Sequence, residues 1–187
     1  MTDSILLEPT ITSHWKEVIQ HAESRCQCTL DEDLESYLIF TLIRFTNNPE
    51  LANKALAPEF LQSLHMMRHA RQQALRDVGD QCLLVAGLFP QTANKRLVRV
   101  SYYVDLGRNA YQQLSEILKQ AFSSLYMHLS KSFVQLMDVL QNIREQNELQ
   151  PLQALELWSS TGSQNAYRII GQHTKATPVV PNKRIQH

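Results

Sequence analysis

An apolar stripe at helical spacing in the middle of the chain restricts the fold more than any other feature. The stripe keeps a phase of about 100° per residue past a glycine. Its members are Phe60, Leu64, Met67, Ala74, Leu75, Val78, Cys82, Val85 and Phe89. Pro90 follows directly and cannot continue a helix. The pattern predicts one long helix near residues 59–88, whose last part, CLLVAGLF, is apolar all round and must be buried on several sides.

Similar periodicity recurs along the chain, whereas alternation with a period of two residues does not. Only five of the 187 residues are glycine, which fits a chain made mostly of helices. The sequence therefore predicts an all-α fold, an irregular helical bundle of about six to eight helices. Besides the long helix, we expect helices near residues 13–24, 34–45, 49–57, 123–146 and 151–158, one that begins near residue 101, and a last turn or two near 164–172.

Local signals refine some of these boundaries. Thr29, with Glu32 three residues later, predicts a capping box before the second helix. That helix, YLIFTLIRF, is apolar nearly all round and is expected in the middle of the bundle. Ser101 can cap the helix that follows the basic loop. Gly87 and Gly107 lie in apolar faces, where a missing side chain lets another helix approach closely.

The charge pattern separates the two ends of the chain. The formal net charge is zero, so no global field would attract nucleic acid or an anionic membrane surface. Residues 1–35 hold eight acids against Lys16 and Arg25, and no acid follows Glu156. We interpret residues 1–172 as a single helical domain and residues 173–187, HTKATPVVPNKRIQH, as a flexible or partner-docked tail.

The sequence also favours a reduced, cytoplasmic protein. No secretory signal is recognisable, and the longest apolar run, residues 37–45, is too short to span a bilayer. We therefore expect no insertion into a membrane. An odd cysteine count of three makes a disulfide framework unexpected.

Two pairs of potential metal ligands are incomplete as sites. Cys26 and Cys28 form one C-x-C pair, whereas a structural zinc site needs four ligands. His65 and His69 share a helix face, but HMMRH lacks the glutamate of the zinc-hydrolase motif. The expectation is no metal and no other cofactor, and whether either pair binds a metal stays open.

Arg71 interrupts the apolar stripe, where an unpaired charge is costly. It either reaches the rim of the helix, forms an ion pair with Asp105, or grips an anionic ligand. In the last case Arg71, Tyr103 and Asp105 would line a pocket for a small anionic or aromatic ligand, with Cys82 nearby.

The segment around residues 95–111 combines basic residues with tyrosines. Tyrosine and arginine suit protein interfaces because each offers a large body and a polar end. Most of this segment is interpreted as a tight corner between helices. Its exposed arginines, Arg96, Arg99 and Arg108, remain candidates for contacts with a ligand or a partner.

Two phrases of the middle third, LRDVGDQCLLVAGLFP and VSYYVDLGRNAYQQLSE, resemble a segment of uncharacterised bacterial all-helical proteins. The resemblance covers about 40 residues. It implies a bacterial, cytosolic origin and carries no catalytic residue to this chain.

The functional prediction is a non-enzymatic helical protein that binds another protein, as a regulator, adaptor or assembly factor. No Rossmann, phosphate-loop, nucleophile-elbow or kinase motif occurs in the sequence. Apolar residues off the main stripes, such as Met127 and Val134, suggest a partner contact or a homo-oligomer. The alternative is the Arg71 pocket, which would bind a small anionic or aromatic ligand with or without enzymatic turnover.

Overall fold

The structure, a computed structural model, describes residues 10–49, 60, 67–95, 98–144 and 149–173. Within these ranges every regular element is a helix, and the helices form one bundle, so the predicted all-α class is confirmed. The elements are α1 Ile11–Cys26, α2 Glu32–Asn47, α3 Arg68–Leu88, α4 Pro90–Lys95, α5 Val100–Ile117, α6 Gln120–Lys131, α7 Phe133–Gln141, α8 Pro151–Thr161 and α9 Gln164–His173.

The centre of the bundle is α3, which packs against α5 and α7. Every residue from Val78 to Leu88 is buried, so the prediction of burial on several sides is confirmed for this helix. Arg71 near the start of α3 contacts Gln113 near the end of α5. Farther along α3, Cys82 lies beside Gly107, which comes earlier in α5. The two helices are therefore antiparallel.

Close approach at glycines explains how α3, α5 and α7 come together. A Cβ added at Gly107 would lie 2.5 Å from the Phe133 ring, and one at Gly87 would lie 2.5 Å from Cβ of Leu140. Both distances are shorter than atoms can tolerate, so only glycine allows these helix contacts. The prediction of close approach at Gly87 and Gly107 is confirmed.

The long helix starts later than predicted. It is continuous past Gly79, but Met67 has an extended backbone (φ −62°, ψ 154°) and is the N-cap of α3. The helix therefore begins at Arg68 and does not run from residue 59. The predicted helix near 49–57, most of the stripe before Met67 and most of the predicted tail lie outside the described residues.

The predicted helix at 123–146 is two helices. Ser132 leaves helical geometry (φ −92°, ψ 10°) and separates α6 from α7. Because the apolar spacing continues on both sides of this residue, periodicity alone could not reveal the break. Farther along, α8 ends at Thr161, three residues later than predicted, and its C-cap Gly162 adopts the left-handed conformation (φ 76°).

The predicted helix caps were wrong in two places. Asp31 caps α2, because its Oδ1 accepts a 3.0 Å hydrogen bond from the amide of Leu34, a role predicted for Thr29. Arg99 is the N-cap residue of α5, and Ser101 instead donates a 2.7 Å hydrogen bond to Glu156 of α8. The second helix is also peripheral, since Phe40 is 68% exposed.

Candidate functional site

A buried cluster of polar side chains joins α2, α3 and α5. Its centre is Asp80, which is 2% exposed. Oδ1 of Asp80 accepts hydrogen bonds from the phenols of Tyr37 (2.6 Å) and Tyr111 (2.7 Å). Nη2 of Arg44 lies 2.7 Å from Oδ2 of Asp80 and 3.2 Å from Asp77. We call these five residues the Asp80 cluster.

The electrostatics of the Asp80 cluster reflect its burial. Desolvation raises the pKa of Asp80, while Arg44 and the two phenols act in the opposite direction. Desolvation, followed by the charge of Asp80, raises the pKa of both Tyr37 and Tyr111 well above the usual phenol value. Oδ1 of Asp80 accepts two hydrogen bonds and Oδ2 accepts one, all from protein groups, so this carboxylate holds three helices together.

The predicted pocket around Arg71 is not assembled. Arg71 is half-buried in the first turn of α3, and its Nη2 donates a 3.4 Å hydrogen bond to Oε1 of Gln113. Asp105 lies eight residues before Gln113 on α5, about 12 Å along the helix axis, and its side chain is exposed. Tyr103 is farther still and is buried. Arg71 therefore pairs with an amide of α5 and not with Asp105.

Arg71 lines an open cavity of about 490 Å³ whose wall is partly charged and partly apolar. Arg68, Glu116 and Lys119 supply the other charged groups, and Ile117 and Leu118 supply the apolar ones. The buried Cys82 does not reach this cavity, because it faces Gly107 in the core. Of the predicted pocket residues, only Arg71 thus reaches a cavity at this end of α3.

The exposed arginines reach two different surfaces. Arg99 and Arg108 are exposed on α5 and its N-cap, as predicted, whereas Arg96 lies outside the described residues. Nine residues separate Arg99 from Arg108, or about 13 Å of helix rise. Arg99 and Arg108 line separate grooves.

Arg99 borders a groove between the start of α5 and α8, with a volume of about 520 Å³. Its floor is apolar, since Leu152 and Leu155 of α8 are 78% and 41% exposed. The 2.7 Å hydrogen bond from Ser101 to Glu156 fixes the two helices at this point. We call this surface, lined by Arg99, Val100, Leu152, Leu155, Glu156 and Ser159, the leucine groove.

The leucine groove was missed from the sequence, although a signal was present. Helix α8 buries Ala154 and Leu157 on its inner face, while Leu152 and Leu155 remain on the outer face. A short helix with apolar residues on two faces has more apolar surface than one contact can cover. This excess is what distinguishes α8 from an ordinary amphipathic helix.

Arg108 borders a larger groove of about 910 Å³. Residues from six helices line it, and three of their side chains are cationic: Arg108 of α5, Lys131 of α6 and Arg168 of α9. Arg168 is tethered, because its Nη1 donates to the carbonyl oxygen of Arg25. In the described part of the chain, no carboxylate forms an ion pair with Arg108 or Lys131. We call this surface the cationic groove.

Asp138 supplies the acidic group of the cationic groove. Its carboxylate accepts hydrogen bonds from the Ser163 hydroxyl (2.6 Å) and from the amides of Gln164 (3.0 Å) and Asn165 (3.3 Å). Asp138 thus satisfies the free amides at the start of α9. Burial nevertheless raises its pKa to about 6, against the lowering effect of these donors and of Arg168.

The rim of the cationic groove carries Cys26 and Cys28, which the structure joins as a disulfide. The expectation that the cysteines are reduced was therefore wrong for this pair, and only Cys82 is a free thiol. Among the described residues, no group of three or more histidine, cysteine or acidic side chains could hold a metal ion. His69 is exposed, and His65 lies outside these ranges.

In the described residues, no helix is long and apolar enough to cross a membrane. Searches of protein-family models, curated proteins and solved structures find no match to this chain. Function therefore has to be inferred from the surfaces themselves.

Proposed function

We propose that this chain is a non-enzymatic protein-binding protein and that the leucine groove is where its partner docks. The observation that carries the proposal is the exposure of Leu152, 78% of its surface, on the floor of a groove built from two helices. A clustered apolar surface bordered by polar groups is typical of a protein interface. Other exposed apolar residues, such as Phe40 and Phe122, do not line the leucine groove.

The chemistry of the groove defines the partner segment. Leu152 and Leu155 are three residues apart on one helix face, a spacing that fits apolar side chains of an amphipathic helix. Arg99 forms no ion pair with a carboxylate of the described residues, so it can pair with an acid of the partner. We infer an amphipathic segment of another protein with an acidic residue beside its apolar face.

The bacterial, cytoplasmic setting is part of the same proposal. Its support is the resemblance of the middle segment to segments of uncharacterised bacterial proteins.

A second copy of this chain is the competing occupant of the leucine groove, because Arg99 and Glu156 border the same leucines and could pair across a two-fold axis.

Site-specific photo-crosslinking in the native host cells tests the proposal. A photo-crosslinking residue replaces Ser159, which is exposed at the groove, and a matched control carries it at Phe122, which is 67% exposed on α6. We expect a heterologous adduct only from position 159, formed with an acidic amphipathic segment. Leu152→Asp should weaken binding of the purified partner about 30-fold, the loss typical of an apolar hot spot, while Phe122→Asp should not.

Three results would overturn this proposal. An adduct with the mass of two chains would make the groove a homo-oligomer interface. Equal adducts from positions 159 and 122, or binding that Leu152→Asp leaves unchanged, would show that the leucine groove is not the docking surface.

A further inference from the structure

The second surface, the cationic groove, is independent of the leucine groove and holds a different chemistry. Its distinguishing feature is the pair of cysteines at the end of α1. Gln27 lies between them in the left-handed conformation (φ 54°) and ends the helix. The reversal brings the Cα atoms of Cys26 and Cys28 to 5.4 Å, within the range that a disulfide requires.

Contacts of the backbone hold this reversal in place. The amide of Cys28 donates a 3.2 Å hydrogen bond to the carbonyl of Glu23, and the carboxylate of Glu23 accepts one from the amide of Leu30 (2.6 Å). From α7, Gln135 donates a 2.9 Å hydrogen bond to the carbonyl of Thr29. None of these contacts involves a sulfur, so the loop can keep the two sulfurs adjacent in the reduced state as well.

The two cysteines differ in exposure. Cys26 is 8% exposed in the last turn of α1, whereas Cys28 is half-buried in the loop and more open to solvent. Both line the cationic groove with Arg108 and Lys131, whose side chains are exposed. Reactive cysteines typically occupy such electropositive, partly exposed places, because a nearby cation stabilises the thiolate.

We propose that Cys26 and Cys28 are a reversible dithiol–disulfide site and that its reaction partner is a small thiol carrying carboxylate groups, held by Arg108 and Lys131. Carboxylates suit these two cations, because a guanidinium and an ammonium both donate charged hydrogen bonds to oxygen anions. The groove volume of about 910 Å³ admits a molecule of small-peptide size.

The reaction is a two-electron exchange. The thiolate of the small molecule attacks Sγ of Cys28, a new sulfur–sulfur bond forms, and the Cys26–Cys28 bond breaks. The electron pair leaves on Cys26, which takes a proton. A second thiolate then attacks the sulfur of the bound small molecule and releases Cys28. The protein gains two electrons and two protons, and two thiols become one small disulfide.

The first test identifies the disulfide and the attacked sulfur by mass spectrometry of the full chain. After equilibration in air, alkylation under denaturing conditions should modify Cys82 alone, and reduction should expose both remaining cysteines. With the oxidised form of mercaptosuccinate, a dicarboxylate thiol, Cys26→Ser should accumulate a mixed disulfide at Cys28. Cys28→Ser should form little adduct, because Cys26 is covered.

The second test measures how much Arg108 and Lys131 contribute to the rate of the reaction. The rate of disulfide reduction by mercaptosuccinate is divided by the rate with 2-mercaptoethanol, which is neutral, so that general changes in reactivity cancel. Replacing Arg108 and Lys131 together by glutamine should lower this ratio about tenfold, as expected for the loss of two nearby charges. The matched control is Lys16→Gln, an exposed lysine on α1 away from the groove.

Two outcomes overturn the proposal. Three alkylated cysteines after equilibration in air would show that no disulfide forms. A rate ratio that is the same in the wild type, the double variant and Lys16→Gln would show that Arg108 and Lys131 do not recruit the thiol. Both residues are exposed, and circular dichroism of each variant would confirm that it is folded.

Discussion

The phenol of Tyr111 donates a 2.7 Å hydrogen bond to Oδ1 of Asp80, and both side chains are buried. The same oxygen accepts the phenol of Tyr37 from α2. The rings of Tyr37 and Tyr111 meet edge to face, with centroids 6.1 Å apart. One carboxylate thereby ties α2 and α5 to the central helix α3.

Tyr111→Phe is expected to lower the free energy of unfolding by about 1.5–3 kcal/mol, because a buried hydrogen bond to a charged group is lost. Urea denaturation of the purified chain measures the change. The matched control is Tyr102→Phe, on the same helix but 42% exposed, which should change stability by less than about 0.5 kcal/mol. Equal effects of the two variants would contradict a stabilising role for the Asp80 contact.

Arg44 of α2 and Arg71 of α3 should contribute differently to the stability of the chain. Arg44→Met removes the cation 2.7 Å from the buried Asp80 and should cost about 2–3 kcal/mol, less than a fully buried pair because Arg44 is partly exposed. Arg71→Met removes one 3.4 Å hydrogen bond to Gln113 and should cost less than about 1 kcal/mol. Urea denaturation of both variants compares them, and a larger loss at Arg71 would contradict the description of both sites.

These two arginines show what the sequence could and could not predict. Periodicity identified the burial of α3 and the class of the fold, because both depend on local spacing. It also drew attention to Arg71, an arginine within an apolar stripe. The buried carboxylate was Asp80, whose partners Tyr37 and Arg44 are 43 and 36 residues away. Nothing local indicates which cation a distant helix will bring to a carboxylate.

The candidate surfaces show the same difference between what local sequence predicts and what the tertiary fold decides. Arg99 and Arg108 were selected as exposed arginines, and the structure leaves both exposed. The residues beside them come from other helices, Leu152 from α8 in one groove and Lys131 from α6 in the other. The tertiary fold decides which exposed residues share a groove. The sequence pattern does not show how one helix is aligned against another, so it could not predict these groupings.

Gly79→Ala is expected to destabilise the chain although alanine is the better helix former. An added Cβ would lie within 3.0 Å of three ring atoms of Tyr111, and the hydrogen bond to Asp80 prevents that ring from moving away. Overpacking of this kind costs about 1–3 kcal/mol, more than the gain of up to 1 kcal/mol in helix propensity.

The matched control for Gly79→Ala is Gly171→Ala in α9, where an added Cβ meets no atom within 4 Å. This variant should be stabilised by about 0.5–1 kcal/mol, the difference in helix propensity. Thermal denaturation distinguishes the two, since their midpoints should move in opposite directions. A shift of both midpoints upward would contradict the close packing of Tyr111 on α3.

The two faces of α8 should respond differently to the same change. Leu152→Asp is expected to change stability by less than about 0.5 kcal/mol, because the side chain is 78% exposed. Leu157→Asp places a charge where the side chain is fully buried and should prevent folding or cost more than about 4 kcal/mol. Circular dichroism and urea denaturation measure both, and a large loss at Leu152 would mean that its surface is covered within the chain itself.

Asp138 should make stability depend on pH between about 4 and 6. Burial raises the pKa of its carboxyl from 3.8 to about 6, so the folded chain holds this proton more tightly than the unfolded chain. The stabilisation is complete below pH 3.8 and is lost as the pH rises through about 6. This change in pKa corresponds to about 3 kcal/mol in the free energy of unfolding.

Asp138→Asn cannot ionise and should lack this dependence, because its protonation state is the same at every pH in the range. Urea denaturation at pH 4 and pH 7 gives the free energy of unfolding of both proteins. We expect the wild type to lose about 2.4 kcal/mol relative to Asp138→Asn between these two values, because the unfolded carboxyl is already partly ionised at pH 4. Asp105→Asn, at an exposed position of α5, is the matched control and should follow the wild type. A constant difference between the wild type and Asp138→Asn would mean that the carboxylate beside Ser163 ionises as easily in the folded chain as in water.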